Sequence, residues 1–251
     1  MSGATIVCCA FAAAGLAITR KRLTRNELIT HNDVAGPILS TIGTILAVMM
    51  SFMVVGVWQE YDGSAQTAQR EAGALSDLHH IADGFPNPFR NLLKAKVDKY
   101  LETVINVEWP LMRTGGESLR AHDTAYQIET IIALYNPRNA AQASLQDQAL
   151  GVSRTLLDAR RQRIHDNQQT IPAVLWAVML FVGVVTVIFS YYFRVDQPRA
   201  QYVMVIALAG VIALTFTLMA ELDLPFRGDI GVSPISFQRA FNTIHNLGLE
   251  R

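Results

Sequence analysis

Charged residues are scarce in this chain: Asp, Glu, Lys and Arg make up 17% of its 251 residues, against about 25% in ordinary globular domains. The shortage is concentrated in four runs that contain none of these residues. The runs are Met1–Thr19, Val34–Gln59, Ile171–Phe193 and Ala200–Ala220. A helix needs about 20 apolar residues to cross a hydrocarbon core about 30 Å thick. The sequence therefore predicts four transmembrane helices.

The first run lacks the layout of a cleaved signal peptide. Such a peptide places positive charge before its apolar region and a cleavage site of small residues after it. Here no charged residue precedes Thr19, whereas Arg20, Lys21, Arg22 and Arg25 follow it. We therefore expect a retained spanning helix.

Cysteine is nearly absent, and so is any excess of charge of one sign. Cys8 and Cys9 are the only two cysteines, and they are adjacent inside the first apolar run. Two adjacent cysteines in such a run cannot cross-link distant parts of a fold through a disulfide, and they do not have the spacing of metal ligands. The net charge is zero, so no basic stripe is available to neutralise phosphates, and we expect no nucleic-acid partner.

Catalytic and metal-binding motifs are also missing. The sequence contains no GxSxG, HExxH or CxxC motif and no glycine loop that would hold a phosphate. His79 and His80, with Asp77 and Asp83 nearby, are the one candidate metal cluster. Adjacent residues on a helix point about 100° apart, which is unfavourable for sharing one ion. We expect no enzyme, no cofactor and no bound metal.

The region between the second and third runs has helical periodicity throughout. Apolar residues recur every three or four positions from Ser64 to Ile81, and no helix breaker lies between Gln59 and Asp62. The second span is therefore predicted to continue into this helix. Three further helices are expected: one ending at the "EWP" of 108–110, one from Ser118 to Tyr135 and one from about Asn139 to Asn167.

We predict an all-α, polytopic protein of the cell (inner) membrane, in four parts. Spans one and two occupy 1–58, an extramembrane helical region 59–170, spans three and four 171–220, and a C-terminal tail 221–251. The two short loops carry most of the arginines and lysines beside the spans, and the positive-inside rule places such loops in the cytoplasm. Arginines between Arg154 and Arg163, before the third span, favour the opposite orientation. The side of 59–170 stays open.

The second span carries a face of small and hydroxyl residues. Its members recur at intervals of three or four: Gly36, Ser40, Thr44, Ala47 and Ser51. Small residues allow close helix packing in lipid, but the same face would also suit the wall of a water-filled pore. Phe52, with Met49 and Met53, lies on other faces and would suit an apolar constriction that gates by dewetting. The last three spans have no charge in their middle, which disfavours a proton-coupled transporter.

Four stretches carry a resemblance to a known family. In order they are "VVGVWQEYDGSAQTAQREAGALSDL", "YLETVINVEWPLM", "IPAVLWAVMLFVGVVTVIFSYYF" and "ELDLPFRGDIGVSP". With these, the chain resembles the bacterial DUF4239 family of membrane proteins, also called bestrophin-like, from about His31 to Phe237. More distantly it is similar to bestrophins, which are pentameric ion channels. This resemblance implies two spans, a helical region, two more spans and a tail, with the second span lining the pore.

Bestrophins also carry an Asn-Pro-Phe-Gly motif after the fourth span, and "DLPFRGD" looks like a variant of it. Asp223, Pro225, Phe226 and Gly228 are the matching positions, while Leu224 replaces the Asn and Arg227 is inserted. The acidic run that binds calcium in animal bestrophins is missing, so calcium gating is not implied.

The stretch after the fourth span is predicted to be a tight turn. Pro225 ends the helix, and Gly228 and Gly231 permit unusual backbone angles. We expect Phe226 to return to the apolar boundary of the membrane. We also expect Asp223, Arg227 and Asp229 to pair with charges between Arg154 and Arg163.

The leading hypothesis is a homo-oligomeric, bestrophin-like channel that conducts small inorganic ions passively. Its pore-lining residues would be Ser40, Thr44, Ala47, Ser51 and Phe52. The expected partners are membrane lipid, small ions and further copies of the chain, five by analogy. The alternative is a non-conducting sensor or docking protein that uses the polar helices. Exposure of the small-residue face would favour the channel, and its burial against the chain's own helices would favour the alternative.

Overall fold

A computed structural model describes residues 2–22, 32–193, 197–228 and 230–247. The described residues are helical, without strands, so the all-α prediction is confirmed. The helices are α1 (Ser2–Arg22), α2 (Asn32–Ala82), α3 (Phe89–Thr103), α4 (Trp109–Met112), α5 (Leu119–Ala133), α6 (Ala140–Gln168), α7 (Ala173–Tyr191), α8 (Pro198–Leu222) and α9 (Ile235–Leu247). A π-helical segment, Val104–Glu108, joins α3 to α4.

Four of these helices, α1, α2, α7 and α8, are long and apolar enough to cross a membrane. They contain the four predicted spans. As predicted, α2 continues well past the apolar run and reaches Ala82, for a total of 51 residues. Two helix starts also fall where the sequence predicts them. The side chains of Ser118 and Asn139 cap α5 and α6 by accepting hydrogen bonds from the backbone N–H groups of Ala121 and Gln142.

The predicted helix end at "EWP" is wrong. An ordinary α-helix would stop near Pro110, because proline cannot donate to the carbonyl four residues earlier. Here the backbone widens into the π-helical segment Val104–Glu108 and continues as α4 to Met112. Pro110 then lies in the first turn after the widened segment, where a missing N–H is tolerated.

The chain forms two compact units. Unit 1 comprises Met1–Gln59 and Thr170–Asp223, and unit 2 comprises Glu60–Gln169 and Leu224–Arg251. The predicted division at 58, 170 and 220 stays a prediction.

In unit 1, small residues bring α1, α7 and α8 together. Ala12 and Leu16 of α1 are buried with Val205 and Ala209 of α8. A Cβ added at Gly15 would lie 2.8 Å from the hydroxyl oxygen of Tyr191, so only glycine fits that crossing without a shift.

In unit 2, the second part of α2 packs with α3, α5, α6 and α9 around one hydrophobic core. Leu75, Leu93, Ile128, Leu156 and Phe237 are representative members, one from each of these helices. Nothing in the sequence analysis predicts α9, which contributes Phe237, Ala240 and Ile244 to this core.

Candidate functional site

The predicted pore-lining face of α2 is exposed within this chain. Ser40, Thr44, Ala47 and Ser51 are all exposed, and the Phe52 side chain is 76% exposed. A different face of the same helix, about 110° away around its axis, is buried at Leu46, Met50 and Val57. The small-residue face is therefore not used for packing against the chain's own helices.

The hydroxyl groups on this face donate their protons to the helix backbone. Thr44 donates to the Ser40 carbonyl oxygen over 2.8 Å, and Ser51 donates to the Ala47 carbonyl oxygen over 2.9 Å. Each hydroxyl oxygen keeps its lone pairs as acceptors. A Cβ added at Gly43, which lies beside this face, would meet no atom within 4 Å. The face thus presents oxygen acceptors and open space.

Within unit 2, α2 again separates a buried from an exposed face. Ser64, Thr67 and Glu71 are buried, whereas Asp62 and Gln66 are exposed and joined by a hydrogen bond of 2.8 Å.

The turn after α8 begins with Asp223, which follows the last helical residue, Leu222. An Asp223 carboxylate oxygen accepts a hydrogen bond of 2.8 Å from the backbone N–H of Ile171. This bond ties the end of α8 to the segment that leads into α7, within unit 1. The predicted pairing of Asp223 with the arginines of α6 stays a prediction.

Phe226 is buried in the core of unit 2 and does not return to a membrane boundary. It is 2% exposed, and its ring meets that of Trp109 edge to face at 5.6 Å between centroids. The prediction for Phe226 is wrong because its ring packs in this core, against Trp109 of α4. Pro225, beside it, is buried as well.

Arg227 binds a helix end. Its Nη2 donates a hydrogen bond of 2.8 Å to the carbonyl oxygen of Asn167, in the last turn of α6. A guanidinium is favourable at this position, because the carbonyl end of a helix carries partial negative charge. The predicted ion pair is thus replaced by a contact with a backbone carbonyl of the same helix.

Two glycines of unit 2 allow backbone angles that other residues rarely adopt: Gly228 in the turn after α8, and Gly115 in the loop that Arg227 contacts. Gly228 has φ +73° and Gly115 has φ +83°, a region that other residues rarely adopt. A Cβ at Gly115 would also lie 2.6 Å from Nη2 of Arg227. Gly115 therefore serves both its own turn and the close approach of Arg227. Asp229, the third residue predicted to pair with an arginine, lies outside the described residues.

A buried ionic cluster lies at the centre of unit 2. The fully buried Arg163 donates to both carboxylate oxygens of Glu71, over 2.6 and 2.8 Å, and lies 3.4 Å from Glu108. Arg160 pairs with Glu108 at 2.6 Å, and the Tyr100 hydroxyl donates to Glu71 over 2.6 Å. Two arginines thus balance two glutamates, which is the condition under which buried charge is tolerated.

Soft and aromatic groups enclose the Arg163 guanidinium. The Trp109 and Phe237 rings lie 5.4 and 5.5 Å away, within the range of cation–π attraction. Nη1 lies 2.7 Å from the Met112 sulfur. Burial would lower the pKa of Arg163, but contact with Glu71 raises it, so the group stays charged. Burial and the neighbouring Glu71 raise the pKa of Tyr100 well above its usual value, so its hydroxyl stays a donor.

This cluster was not predicted from the sequence, although two of the four family-like stretches contain its members. Glu71 lies in the first stretch, after "WQEYD", and Glu108 and Trp109 lie in the second, in "EWP". A charged residue on the apolar face of a predicted helix was the signal that could have revealed the cluster. Such a residue is rarely buried unless it has a partner of opposite charge, so a buried ion pair was to be expected there.

The candidate metal cluster at His79 and His80 finds no support in the described residues, where no group of three or more His, Cys, Asp or Glu side chains is arranged to hold an ion. His79 is half-buried. Burial lowers the pKa of its imidazole, as does the nearby Lys94. Lys94 itself pairs with Asp83 at 2.7 Å.

A family model for the bestrophin-like domain matches residues 6–237. Among solved structures, a point variant of a bacterial bestrophin homologue from Klebsiella pneumoniae has a TM-score of 0.69 at 11% identity, with 98% of each chain covered. A second variant from the same organism gives 0.68 at 11% identity, with 98% of this chain and 99% of that chain covered. A crystal structure reported simply as a membrane protein gives 0.67 at 11% identity, covering 100% of this chain and 98% of that chain. No curated protein matches.

Proposed function

Because the chain belongs to the bestrophin-like family, we propose that it is one subunit of a homo-oligomeric ion channel that conducts small inorganic ions passively. The exposed face of α2 lines the pore, with Ser40, Thr44, Ala47 and Ser51 as polar or small wall residues. Phe52 forms an apolar constriction beside Ser51. The likeness to bestrophins suggests five subunits in the cell membrane.

The observation that carries this proposal is the exposure of the small-residue face in the isolated chain. Had this face served close packing within the subunit, its residues would be buried among the other helices of unit 1. Instead the chain buries Leu46, Met50 and Val57 and leaves the hydroxyl residues outside, together with apolar residues such as Ile45 and Val48 that are available for lipid or other subunits. In an oligomer closed around an axis, five such faces would enclose one water-filled path.

The absence of charge in the middle of the last three apolar runs fits passive conduction. A coupled transporter uses ionisable groups within the membrane to carry or relay protons. A passive pore needs only a wall that replaces part of the ion's hydration shell, and an apolar narrow point that can dewet. Ser51 lies on the small-residue face, and Phe52, turned about 100° from it around the helix axis, is exposed on the neighbouring face, so α2 offers one residue of each kind.

The test is the current across a planar bilayer that contains the purified protein under a salt gradient. In a background with Cys8 and Cys9 replaced by Ala, we expect Ser51→Cys channels to lose current when a charged, thiol-specific reagent is added. Val211→Cys is the matched control, because Val211 is an apolar residue of α8 with 65% exposure. Its current should persist.

Either of two results would reject the pore. One is silence from folded protein across pH, calcium concentration and voltage, which would favour a non-conducting docking protein. The other is a current that is equally insensitive to modification at both positions, which would place the conducting path elsewhere.

A further inference from the structure

An open apolar groove runs between α1, α7 and α8 in unit 1. Its volume is about 590 Å³. Ala4, Cys8 and Phe11 of α1 form one side, and residues from Trp176 to Tyr191 form a second side along α7. Phe11 is 74% exposed. Its walls belong to three helices that are apolar enough to span a membrane, so the groove is open to hydrocarbon.

The dimensions of the groove suit a lipid chain. Trp176 and Tyr191 are fifteen residues apart on α7, which corresponds to about 22 Å along a helix. One leaflet of hydrocarbon is about 15 Å deep, half of a core of about 30 Å. The part of the groove that ends at Tyr191 can therefore take an acyl chain over the full depth of one leaflet.

The Tyr191 end of the groove is basic. Arg22 follows Ala4 on α1 by eighteen residues, five full helical turns, so the two residues share a helix face. Arg22 lies ten residues beyond Ala12, the last residue of α1 that lines the groove. Arg22 is exposed. Lys21, the neighbouring cation, points about 100° away from Arg22 around the helix axis.

The described helix ends beside it have the same sign. Arg20, Lys21 and Arg22 end α1, and Arg199 lies in the first turn of α8. The N-terminus of α8 at Pro198 lies at this end of unit 1, and helix N-termini carry partial positive charge. An acyl chain in the groove would thus hold its headgroup among cations.

From this geometry we propose that the chain binds one anionic phospholipid per subunit, with an acyl chain in the α1–α7–α8 groove and its phosphate at Arg22. Charge complementarity at the Tyr191 end selects an anionic headgroup over a zwitterionic one. The inference is independent of conduction, since a non-conducting protein with the same unit 1 would bind the lipid equally.

The test uses native mass spectrometry of the full-length protein after incubation with equal amounts of phosphatidylglycerol and phosphatidylcholine. We expect one retained phosphatidylglycerol per subunit. Arg22→Gln should lower its retention about five-fold, the usual effect of one cation near a membrane surface. Lys21→Gln, which removes the same charge from another face of α1, should change retention less.

A second pair of variants tests the groove itself. Val184 lines the groove, whereas Val178 is a similarly exposed residue of α7 outside it. Val184→Trp should abolish retention and Val178→Trp should leave it intact, with circular dichroism showing that both variants are folded.

Three results would overturn the proposal. They are equal retention of the two lipids, equal effects of Arg22→Gln and Lys21→Gln, and retention that survives Val184→Trp. A fourth is efficient disulfide cross-linking of Cys8 between copies in place of retained lipid, which would show that a second copy occupies the groove.

Discussion

Arg163 can be fully buried because carboxylates surround it. Glu71 and Glu108 supply the opposite charge, and Tyr100 holds Glu71 in place. The sequence motifs with Glu71, Glu108, Trp109 and Phe226 all contribute side chains to this cluster or to its aromatic surround. These motifs thus have a structural role in unit 2, separate from the exposed face of α2 in unit 1.

Glu71→Gln is expected to destabilise unit 2 by about 3–5 kcal/mol, because it leaves a buried guanidinium without its main counter-charge. The measurement is denaturant unfolding in detergent, followed by the fluorescence of Trp109 in a background with Trp58 and Trp176 replaced by Phe. Asp158→Asn is the control, since it removes an exposed ion pair with Arg161 on α6. We expect no measurable change there. A similar small effect of both variants would contradict the structural role of the cluster.

Gly115→Ala is expected to cost about 1–3 kcal/mol of unfolding free energy, the usual range for a strained backbone. The positive φ and the Arg227 guanidinium both oppose a side chain here. Gly151→Ala is the matched control, because its Cβ would enter open space on α6. There the change should stabilise the helix by about 0.5–1 kcal/mol. Equal signs for the two variants would refute this account of Gly115.

At the scale of elements, residues with strong local effects predict much of the fold. Ser118 and Asn139 cap helices where their side chains suggest, and apolar periodicity predicts the long α2. Prediction from the sequence fails for elements that depend on contacts with distant parts of the chain. The π-helical segment Val104–Glu108 allows the helix to continue past Pro110. Helix α9 is stabilised because its Phe237 packs in the core of unit 2.

The candidate site follows the same pattern. Periodicity is sufficient to define the small-residue face of α2, because positions three and four apart share a helix face. Partners of the turn residues are not predictable in this way. Asp223 binds the N–H of Ile171, and Arg227 binds the carbonyl oxygen of Asn167. Backbone groups of this kind have no signature in the sequence.

The contact of α2 with α3 and α9 should be pH-dependent through His79. In the folded state the pKa of His79 is lowered, first by burial and then by the positive charge of Lys94. His245 lowers it further. Asp98 and Asp83 raise it, but their effects are smaller than those of burial and Lys94. The folded protein therefore binds fewer protons here than the unfolded chain, whose pKa is about 6.5. The contribution of His79 to stability is complete above that pH and is lost as the pH falls towards the lowered value.

We expect the melting temperature to fall less between about pH 7.5 and about pH 5.5 in His79→Gln than in the original protein. His80→Gln, at an exposed position on the same helix, should keep the original pH dependence. An unchanged pH dependence in His79→Gln would show that other groups determine it.

At the scale of the whole molecule, the pore proposal requires assembly. The exposed face of α2 can enclose water only when several copies meet around an axis, because one helix face cannot form a closed path. A closed ring of identical subunits uses the same pair of surfaces at every contact. Unit 1 carries the wall residues, and each copy would contribute one α2.

The proposed channel, with five subunits by analogy with bestrophins, predicts that the purified protein is a ring of five copies. With a chain of 27.7 kDa, five subunits give about 139 kDa of protein in closed cyclic symmetry. Native mass spectrometry from two different detergents measures this mass directly, and agreement between them excludes an aggregate caused by one detergent. Another closed ring would correct only the number of subunits. A mass of one chain in both detergents and in lipid nanodiscs would leave Ser51 and Thr44 facing lipid, and the pore would then have no wall.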